Sequence, residues 1–295
     1  MSQENVLGDT DFSQDATTTT NLQSTIWSGE SVTGMASSAQ VISTTTKTSA
    51  ASTGSATYSE CQNGGSMTDI PGSQSCQCPL QYAGEWCERY RRDCQDATMN
   101  TDGVYYIQPV SAPQAFQVYC YWYWQKTHFL SRTTQQLFNM TWETAKKGFG
   151  NTTSPDFFIG LENLHHLTSQ ATYHMEIKMR EAFLPYIQYM AIYNQFHVQD
   201  ETSSFALSYS EFWAAANIIG SVEEDAFGYS PLDFCTWDRD CYDGCAATRG
   251  MPGWYDSDCD GYSPFGEILE WPLSGGSKEM DDVQFALYRP GEFYS

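Results

Sequence analysis

Basic residues are scarce in this 295-residue chain, which has 14 Lys and Arg against 36 Asp and Glu and a formal net charge of −22. A surface of that sign repels phosphate backbones and anionic lipid headgroups. The composition therefore excludes nucleic acid and acidic membranes as partners. Long apolar runs are also missing. The longest, around 212–222, contains Asn217 and is shorter than the ~20 residues that a bilayer span needs, so we expect no membrane insertion.

Recognisable catalytic motifs are absent too. The chain has no G-x-S-x-G elbow, no P-loop, no G-x-G-x-x-G and no H-E-x-x-H. Its histidines lie in strand-like or turn segments, without the arrangement that would activate a Ser or Cys nucleophile: His128, His165, His166, His174 and His197. We predict that the protein is not an enzyme.

Cysteine, in contrast, is plentiful. Ten cysteines at short spacings suit an oxidising compartment, because cytosolic thiols are kept reduced. We therefore expect a secreted, extracellular protein. The first twenty residues are acidic and polar and lack the basic start and apolar stretch of a signal peptide. A fragment or a mis-started gene model explains this better than an unusual export route.

The composition divides the chain into three parts. About half of the residues in 17–57 are Ser or Thr, and almost none are aromatic. We expect residues 1–58 to be a disordered stalk, either an O-glycosylated, mucin-like spacer or an unmodified tail. Residues 59–88 are rich in Gly, Cys and turn formers, and residues 92–291 are rich in aromatics. We expect each of these two parts to be a folded unit.

Local patterns in the third part favour an α+β fold. Strand-like runs occupy Gly103–Gln108, Ala115–Trp124 and Phe205–Tyr209, which are β-branched or aromatic and bounded by turn formers. A helix is predicted over Thr141–Lys147, with Thr141 as its cap and Gly148 at its end. The loop-rich stretch 238–277 contains three cysteines, and a loop this long usually carries function or is held by cross-links.

The cysteine-rich part contains three short motifs: C-x-N-G-G starts at Cys61, C-x-C starts at Cys76, and G-x-x-C ends at Cys87. With these motifs it resembles an epidermal-growth-factor-like (EGF-like) module. The family normally has six cysteines. In this chain Met67 stands at the position of the third, and no cysteine precedes Cys61. The resemblance implies the pairs Cys61–Cys76 and Cys78–Cys87, and no calcium site. A zinc site is the alternative, but the C-x-C spacing is too tight for the usual knuckle.

The long third part contains a series of motifs in this order: Asp93-Cys94, Gly103–Pro109, Phe116–Cys120, Gly148–Asn151, Phe158–Thr168, Phe234–Asp240 and Tyr288–Pro290. In their order and spacing these motifs resemble the fibrinogen C-terminal-like domain. The resemblance implies a twisted, largely antiparallel sheet with short helices, and a binding region built from loops.

That resemblance also implies two disulfides, Cys94–Cys120 and Cys245–Cys259. Cys235 and Cys241 are additions to the family pattern, and we predict a third bridge between them. A zinc site formed by the last four cysteines is the alternative.

Members of this family bind calcium just after the segment that corresponds to Thr236–Asp240. Asp240 stands at the position of the first liganding aspartate, but the second position is Tyr242 and the loop is about three residues short. Asp243 could substitute for it, so calcium is a possible cofactor and no other cofactor is expected. The alternative is a solvated acidic loop.

The ligand pocket of sugar-binding members is poorly matched, because Asp260 follows Cys259 where a histidine is expected. We expect neither acetyl-group recognition nor a fibrin-knob pocket. We predict instead an acidic, aromatic surface for a cationic or hydroxyl-rich ligand, formed by Trp254, Tyr255, Asp258, Asp260 and Tyr262. Asn139 and Asn151 begin N-glycosylation sequons.

These observations predict an extracellular recognition protein, lectin-like or of innate immunity, whose head binds a glycan or protein ligand. A structural matrix or adhesion component of the tenascin type is the alternative. A receptor ligand resembling angiopoietins is disfavoured because no heptads are present. Oligomerisation stays open.

Overall fold

The structure is a computed structural model that describes residues 60–70, 73–96, 101–134, 138–183, 188–214, 224–228, 230–267, 269–273 and 276–291. The stalk predicted over residues 1–58 lies outside these ranges. Within them, no helix combines the length and the apolar character that crossing a membrane would require.

Two short hairpins form the cysteine-rich unit. Strands β1 (Ser66–Ile70) and β2 (Ser73–Gln77) pair antiparallel, as do β3 (Tyr82–Ala83) and β4 (Arg89–Tyr90). Directly after β4, the buried Arg91 donates a side-chain hydrogen bond to the carbonyl of Leu80. This unit therefore packs through short, turn-bounded strands and has little core of its own.

An eleven-stranded antiparallel sheet dominates the rest of the described chain. Its main path runs β12-β11-β10-β18-β7-β6-β5, with β13 on β11, β17 on β18, and β9 between β7 and β8. The strands are β5 (Gly103–Ile107), β6 (Phe116–Tyr121), β7 (Lys126–Arg132), β8 (Phe149–Gly150), β9 (Phe157–Phe158), β10 (Tyr173–Glu181), β11 (Gln188–Val198), β12 (Leu207–Ser208), β13 (Glu211–Ala214), β17 (Leu269–Leu273) and β18 (Gly276–Tyr288).

The C-terminal strand β18 lies at the centre of this sheet, between β10 and β7. Val283, Phe285 and Leu287 are buried on its inner face. Asp282 and Gln284 alternate with them and point to the outer face, as the two-residue period of a strand requires. The sheet therefore has an inner face on the core and an outer face with polar side chains.

The predicted helix at Thr141–Lys147 is confirmed as α1 (Trp142–Lys147). The Thr141 side chain accepts a hydrogen bond from the backbone N–H of Thr144, and Gly148 ends the helix with a positive φ of 86°. Lys147 and Glu143 form the i, i+4 ion pair at 3.4 Å. Local capping chemistry is thus sufficient to place this element.

The remaining elements surround the loop-rich region. A three-stranded sheet has the order β14-β15-β16, and α2, a 3-10 turn and α3 complete the fold. Their bounds are α2 (Leu161–Ser169), the 3-10 turn (Glu201–Ser203), β14 (Asp233–Cys235), α3 (Cys245–Arg249), β15 (Gly253–Tyr255) and β16 (Gly261–Tyr262). The domain is mostly sheet with a few helices.

Two predicted strands are shorter than the sequence suggests. The run Ala115–Trp124 forms β6 only as far as Tyr121, because the chain then turns back into β7, with Gln125 at a φ of 47°. In the run Phe205–Tyr209 only Leu207–Ser208 is strand, since Phe205 has a φ of 46°. In both places aromatic residues with high strand propensity occupy turns.

Candidate functional site

The segment 233–260 combines acidic charge with covalent restraint. It contains two basic residues, Arg239 and Arg249, and seven aspartates: Asp233, Asp238, Asp240, Asp243, Asp256, Asp258 and Asp260. Seven negative and two positive charges give this segment a net charge of −5. We call it the acidic loop segment.

Two disulfides fasten this segment. Cys235 is joined to Cys241 and Cys245 to Cys259, with Cα–Cα distances of 5.4 and 5.0 Å. Because all four sulfurs are in disulfides, no thiolate remains for the zinc site considered as an alternative. The other pairs in the structure are Cys61–Cys76, Cys78–Cys87 and Cys94–Cys120.

Asp240 holds the short helix between these bridges. Its Oδ1 accepts hydrogen bonds from the backbone N–H groups of Cys241, at 2.9 Å, and Ala246, at 2.7 Å. Its Oδ2 accepts a hydrogen bond from the N–H of Ala247 at 2.9 Å. These donors include two from the first turn of α3, so Asp240 satisfies groups that a helix start leaves unpaired.

These hydrogen bonds to Asp240 bear on the predicted calcium site. Calcium takes six to eight oxygen ligands, and backbone N–H donors compete with the ion for carboxylate oxygens. Cys235, Asp240 and Cys241 lie close together, but the two sulfurs are bonded to each other and cannot serve as ligands. Asp243 is exposed. Both oxygens of Asp240 accept hydrogen bonds from backbone donors, and calcium at Asp240 and Asp243 stays a prediction.

The predicted aromatic part of the ligand surface is wrong. Trp254, Tyr255 and Tyr262 are only 2%, 2% and 6% exposed. Trp254 packs edge-on against Phe234, with ring centroids 4.9 Å apart, and its indole N–H donates to the carbonyl of Phe205 at 3.1 Å. The reason is the position of β15, the middle strand of the three-stranded sheet, where both faces are covered.

Other residues of the acidic loop segment are exposed in their place. Trp237 is 57% and Tyr242 49% exposed, so these two aromatics are available to a ligand. Asp258 and Asp260 are also exposed, and both backbone N–H groups donate to Oδ1 of Asp256 at 2.9 Å. Trp237 is not among the predicted ligand residues because it belongs to the motif Phe234–Asp240, whereas in the structure it follows strand β14 (Asp233–Cys235) and is exposed.

Both arginines of the acidic loop segment are already engaged. The guanidinium of Arg239 lies 3.8 Å from the ring centroid of Trp142 and 3.4 Å from a Glu201 oxygen. Arg249 contacts Asp260 at 2.8 Å. The carboxylates outnumber these two charges, and the exposed surface of the segment is acidic.

The other predicted residues lie outside this segment. Asn139 and Asn151 are both exposed, and Oδ1 of Asn151 accepts hydrogen bonds from the N–H and hydroxyl of Thr153 at 3.0 Å. His165 lies on α2, and its Nδ1 is 2.9 Å from the carbonyl oxygen of Val198, so this side chain has a structural role. Glycosylation at the two asparagines stays a prediction.

A second candidate region is a groove on the outer face of the main sheet. It consists of two adjoining cavities of about 380 and 340 Å³, which share Tyr121 and Gln284. We call it the outer groove. Its first cavity is also lined by Trp124, Lys126, Lys178, Met179, Arg180, Gln188, Tyr189, Met190 and Asp282, and its second by Tyr119, His128, Ser131, Thr152, Thr153, Ser154, Pro155 and Phe157.

Burial of His128 beneath the outer groove predicts acid sensitivity. Desolvation, with smaller effects of Lys178 and Lys126, lowers the pKa of His128 from 6.5 to about 3. Between these values the unfolded chain binds a proton that the folded chain does not, so stability falls as the pH drops below 6.5. We expect His128 to contribute about 2 kcal/mol of destabilisation at pH 5 relative to pH 7.5.

The measurement is urea unfolding from pH 7.5 to pH 4.5 for the wild type and His128→Gln. The variant lacks the imidazole, so its stability should decline less steeply than that of the wild type. Parallel curves for the two proteins would show that His128 does not titrate in this way.

Comparison with known proteins supports one family. The family model described as fibrinogen beta and gamma chains, C-terminal globular domain, matches residues 90–282. Bovine fibrinogen-like protein 1 is 31% identical over 170 residues, which cover 53% of this chain and 54% of that protein. Fibrinogen-like protein A of Apostichopus parvimensis is 28% identical over 214 residues, covering 66% and 71%. The chain thus spans about half the length of fibrinogen-like protein 1.

Solved structures agree on the fold. The fibrinogen-like globe domain of human ANGPTL2 matches with a TM-score of 0.58 and 24% identity, covering 68% of this chain and all of that one. A lamprey fibrin D-dimer, in complex with the peptide Gly-His-Arg-Pro-amide, matches with a TM-score of 0.57 and 23% identity, covering 69% and 75%. With the family model matching well over half of its residues, the chain belongs to the fibrinogen-related proteins, through a fibrinogen C-terminal globular domain.

Proposed function

We propose that this protein is an extracellular recognition protein whose fibrinogen-like head binds a cationic segment of a protein ligand through the acidic loop segment. Domains of this family bind protein ligands and act as binding or structural proteins rather than enzymes. The observation that carries the proposal is a net charge of −5 on a doubly cross-linked segment that also exposes Trp237 and Tyr242.

Charge supports a cationic ligand. The whole chain has a net charge of −22, which attracts positively charged partners over a distance and orients their approach. Exposed aromatic rings beside carboxylates add a face on which Arg or Lys side chains can stack. A ligand with several Arg or Lys residues would meet both features.

Covalent restraint supports binding with little ordering cost. The two disulfides, the Asp240 hydrogen bonds and the turn around Asp256 each fix part of the segment. A surface that is already ordered loses less conformational entropy when a ligand binds. The segment is therefore suited to recognition.

In this proposal the rest of the chain presents the fibrinogen-like head to its ligand. In the same proposal residues 92–291 form the head and residues 59–88 form an EGF-like spacer with two disulfides, and the Ser/Thr-rich segment 1–58 precedes them. The cysteine content and the related proteins support secretion.

The test is a titration of the full chain with a fluorescein-labelled peptide of alternating Arg and Gly, followed by fluorescence anisotropy. The variant carries Asp243→Asn, Asp258→Asn and Asp260→Asn. Exposed ion pairs are worth about 0.5 kcal/mol each, so the three changes should weaken binding about tenfold. Adding Trp237→Ala should weaken it further.

The control variant removes three charges elsewhere, through Glu143→Gln, Glu162→Gln and Glu224→Gln, all at exposed positions. It has the same net charge as the test variant but an intact acidic loop segment, and its affinity should stay close to that of the wild type. Equal losses in both variants would mean that only the overall charge attracts the peptide, and the proposal would be abandoned.

A further inference from the structure

We propose that the outer groove is a second binding site, for a neutral oligosaccharide. It lies on a different surface from the acidic loop segment and takes a different class of ligand. The inference therefore goes beyond the proposed function and does not depend on it.

The strand register builds a row of polar side chains across the groove. Ser131 on β7 lies opposite Gln284 on β18. Gln284 in turn lies opposite Lys178 on β10, and Lys178 lies opposite Met190 on β11. Two residues further along β10, the same arrangement brings together Asp282, Arg180 and Gln188. The floor of the groove thus offers amide, hydroxyl and charged groups at the spacing of neighbouring strands.

Charges in and around the groove balance. Lys126, Lys178 and Arg180 line it, and each contacts a carboxylate: Lys126 forms a buried ion pair with Glu176, Lys178 is 3.6 Å from Glu176, and Arg180 is 2.8 Å from Asp281 and 3.5 Å from Asp282. Three cations thus face three carboxylates, although the chain as a whole is strongly acidic. Such a surface selects neither cations nor anions by net charge.

The ion pairs in and around the groove favour a ligand that carries hydroxyl groups. A sugar hydroxyl both donates and accepts, so it can bridge a cation and a carboxylate or bind an amide. The side chains of Lys178 and Arg180 are 50% and 38% exposed, so their polar groups can be reached from the groove. Hydrogen bonds to charged groups are stronger than those between neutral groups.

Aromatic rings provide the apolar half of the site. Tyr119 and Tyr121 line the groove with ring centroids 5.2 Å apart, and Trp124 is 46% exposed at one end. The Lys126 ammonium lies 5.4 Å from the Trp124 ring centroid, which holds the indole in place. The C–H face of a pyranose packs against such rings, as apolar groups do on aromatic surfaces generally.

The position of the groove argues against a peptide. An extended peptide usually binds at a sheet edge, where unpaired backbone groups can add it as a further strand. β10 and β18 lie inside the sheet, with a partner strand on each side. The ligand must therefore be held by side chains, which is how sugars are bound.

The test uses the full chain after treatment with an N-glycosidase, because Thr152 and Thr153 of the predicted Asn151 sequon line the groove. Cellohexaose, maltohexaose and mannohexaose are titrated by ligand-observed NMR and calorimetry, beside a heparin pentasaccharide and an octaglutamate peptide. We expect saturable binding of at least one neutral hexasaccharide. Trp124→Ala and Lys178→Met should each weaken it by about fivefold.

Trp213→Ala is the matched control, because Trp213 is 45% exposed, close to the 46% of Trp124, and lines neither cavity of the groove. Its affinity should equal that of the wild type, and near-UV circular dichroism checks the fold of each variant. The proposal is overturned if no neutral hexasaccharide binds, if Trp213→Ala weakens binding as much as Trp124→Ala, or if the heparin or glutamate probe binds more tightly. None of these outcomes bears on the Arg-Gly peptide test.

Discussion

Replacing Trp254 by alanine is expected to lower the free energy of unfolding by about 3–5 kcal/mol, the usual cost of truncating a buried aromatic. Trp254 is 2% exposed and packs against Phe234 and Phe227, and the carbonyl of Phe205 would lose its indole donor. Chemical denaturation followed by far-UV circular dichroism gives the change. This is the largest effect that we expect from a single substitution.

Trp237→Ala is the control for that measurement. Trp237 is 57% exposed, so its truncation should change the free energy of unfolding by no more than about 0.5 kcal/mol while weakening ligand binding. A stable Trp254→Ala protein that had lost binding would reverse our conclusion and return Trp254 to the ligand surface.

Removing the Cys94–Cys120 disulfide by a double change to alanine is expected to cost about 3.5 kcal/mol by loop-closure entropy. The bridge closes a sequence separation of 26 residues and both sulfurs are fully buried. It also fixes the start of the head to β6, next to the Cys94 N–H that donates to the Thr127 hydroxyl at 3.1 Å. The change is measured by denaturation of the oxidised proteins.

The double change Cys78→Ala and Cys87→Ala is its control. That bridge closes a separation of only 9 residues inside the cysteine-rich unit, so the unfolding transition of the head should stay in place. If both double variants unfolded like the wild type, the disulfides would contribute little to stability and the importance given to them here would be wrong.

Features encoded by neighbouring residues could be predicted from the sequence. The helix at Trp142–Lys147 follows from a threonine cap, an ion pair four residues apart and a terminal glycine, all of which act within one or two turns. The strand at Gly103–Ile107 follows from its β-branched and aromatic run. In both cases local preference and the tertiary structure agree.

Features that depend on residues distant in the chain could not be predicted from the sequence. Trp254 and Tyr255 look like ligand-binding aromatics in sequence, but the two faces of β15 pack on different clusters: Trp254 on the main core and Tyr255 on the disulfide-linked cluster around Cys235 and Cys245. No local sequence pattern indicates that both faces of this strand are buried. The role of Asp240 as a helix cap likewise depends on where the chain turns after Cys241.

The outer groove illustrates the same limit. Its residues run from Tyr119 to Gln284 in the sequence and are brought together only by the order of strands in the sheet. The sequence predicts a strand for the exposed turn after β6, because Trp122, Tyr123 and Trp124 all have high strand propensity. Register, rather than composition, creates the site.

The central claim is that two disulfides give the acidic loop segment its fixed shape. Proteolysis of the native protein without reduction, followed by mass spectrometry, tests it directly. We predict cross-linked peptides that join Cys235 to Cys241 and Cys245 to Cys259, with no free thiol at any of the four. Free thiols at Cys235 and Cys241 in a folded protein, together with a thermal stability that rises on addition of calcium, would contradict the claim.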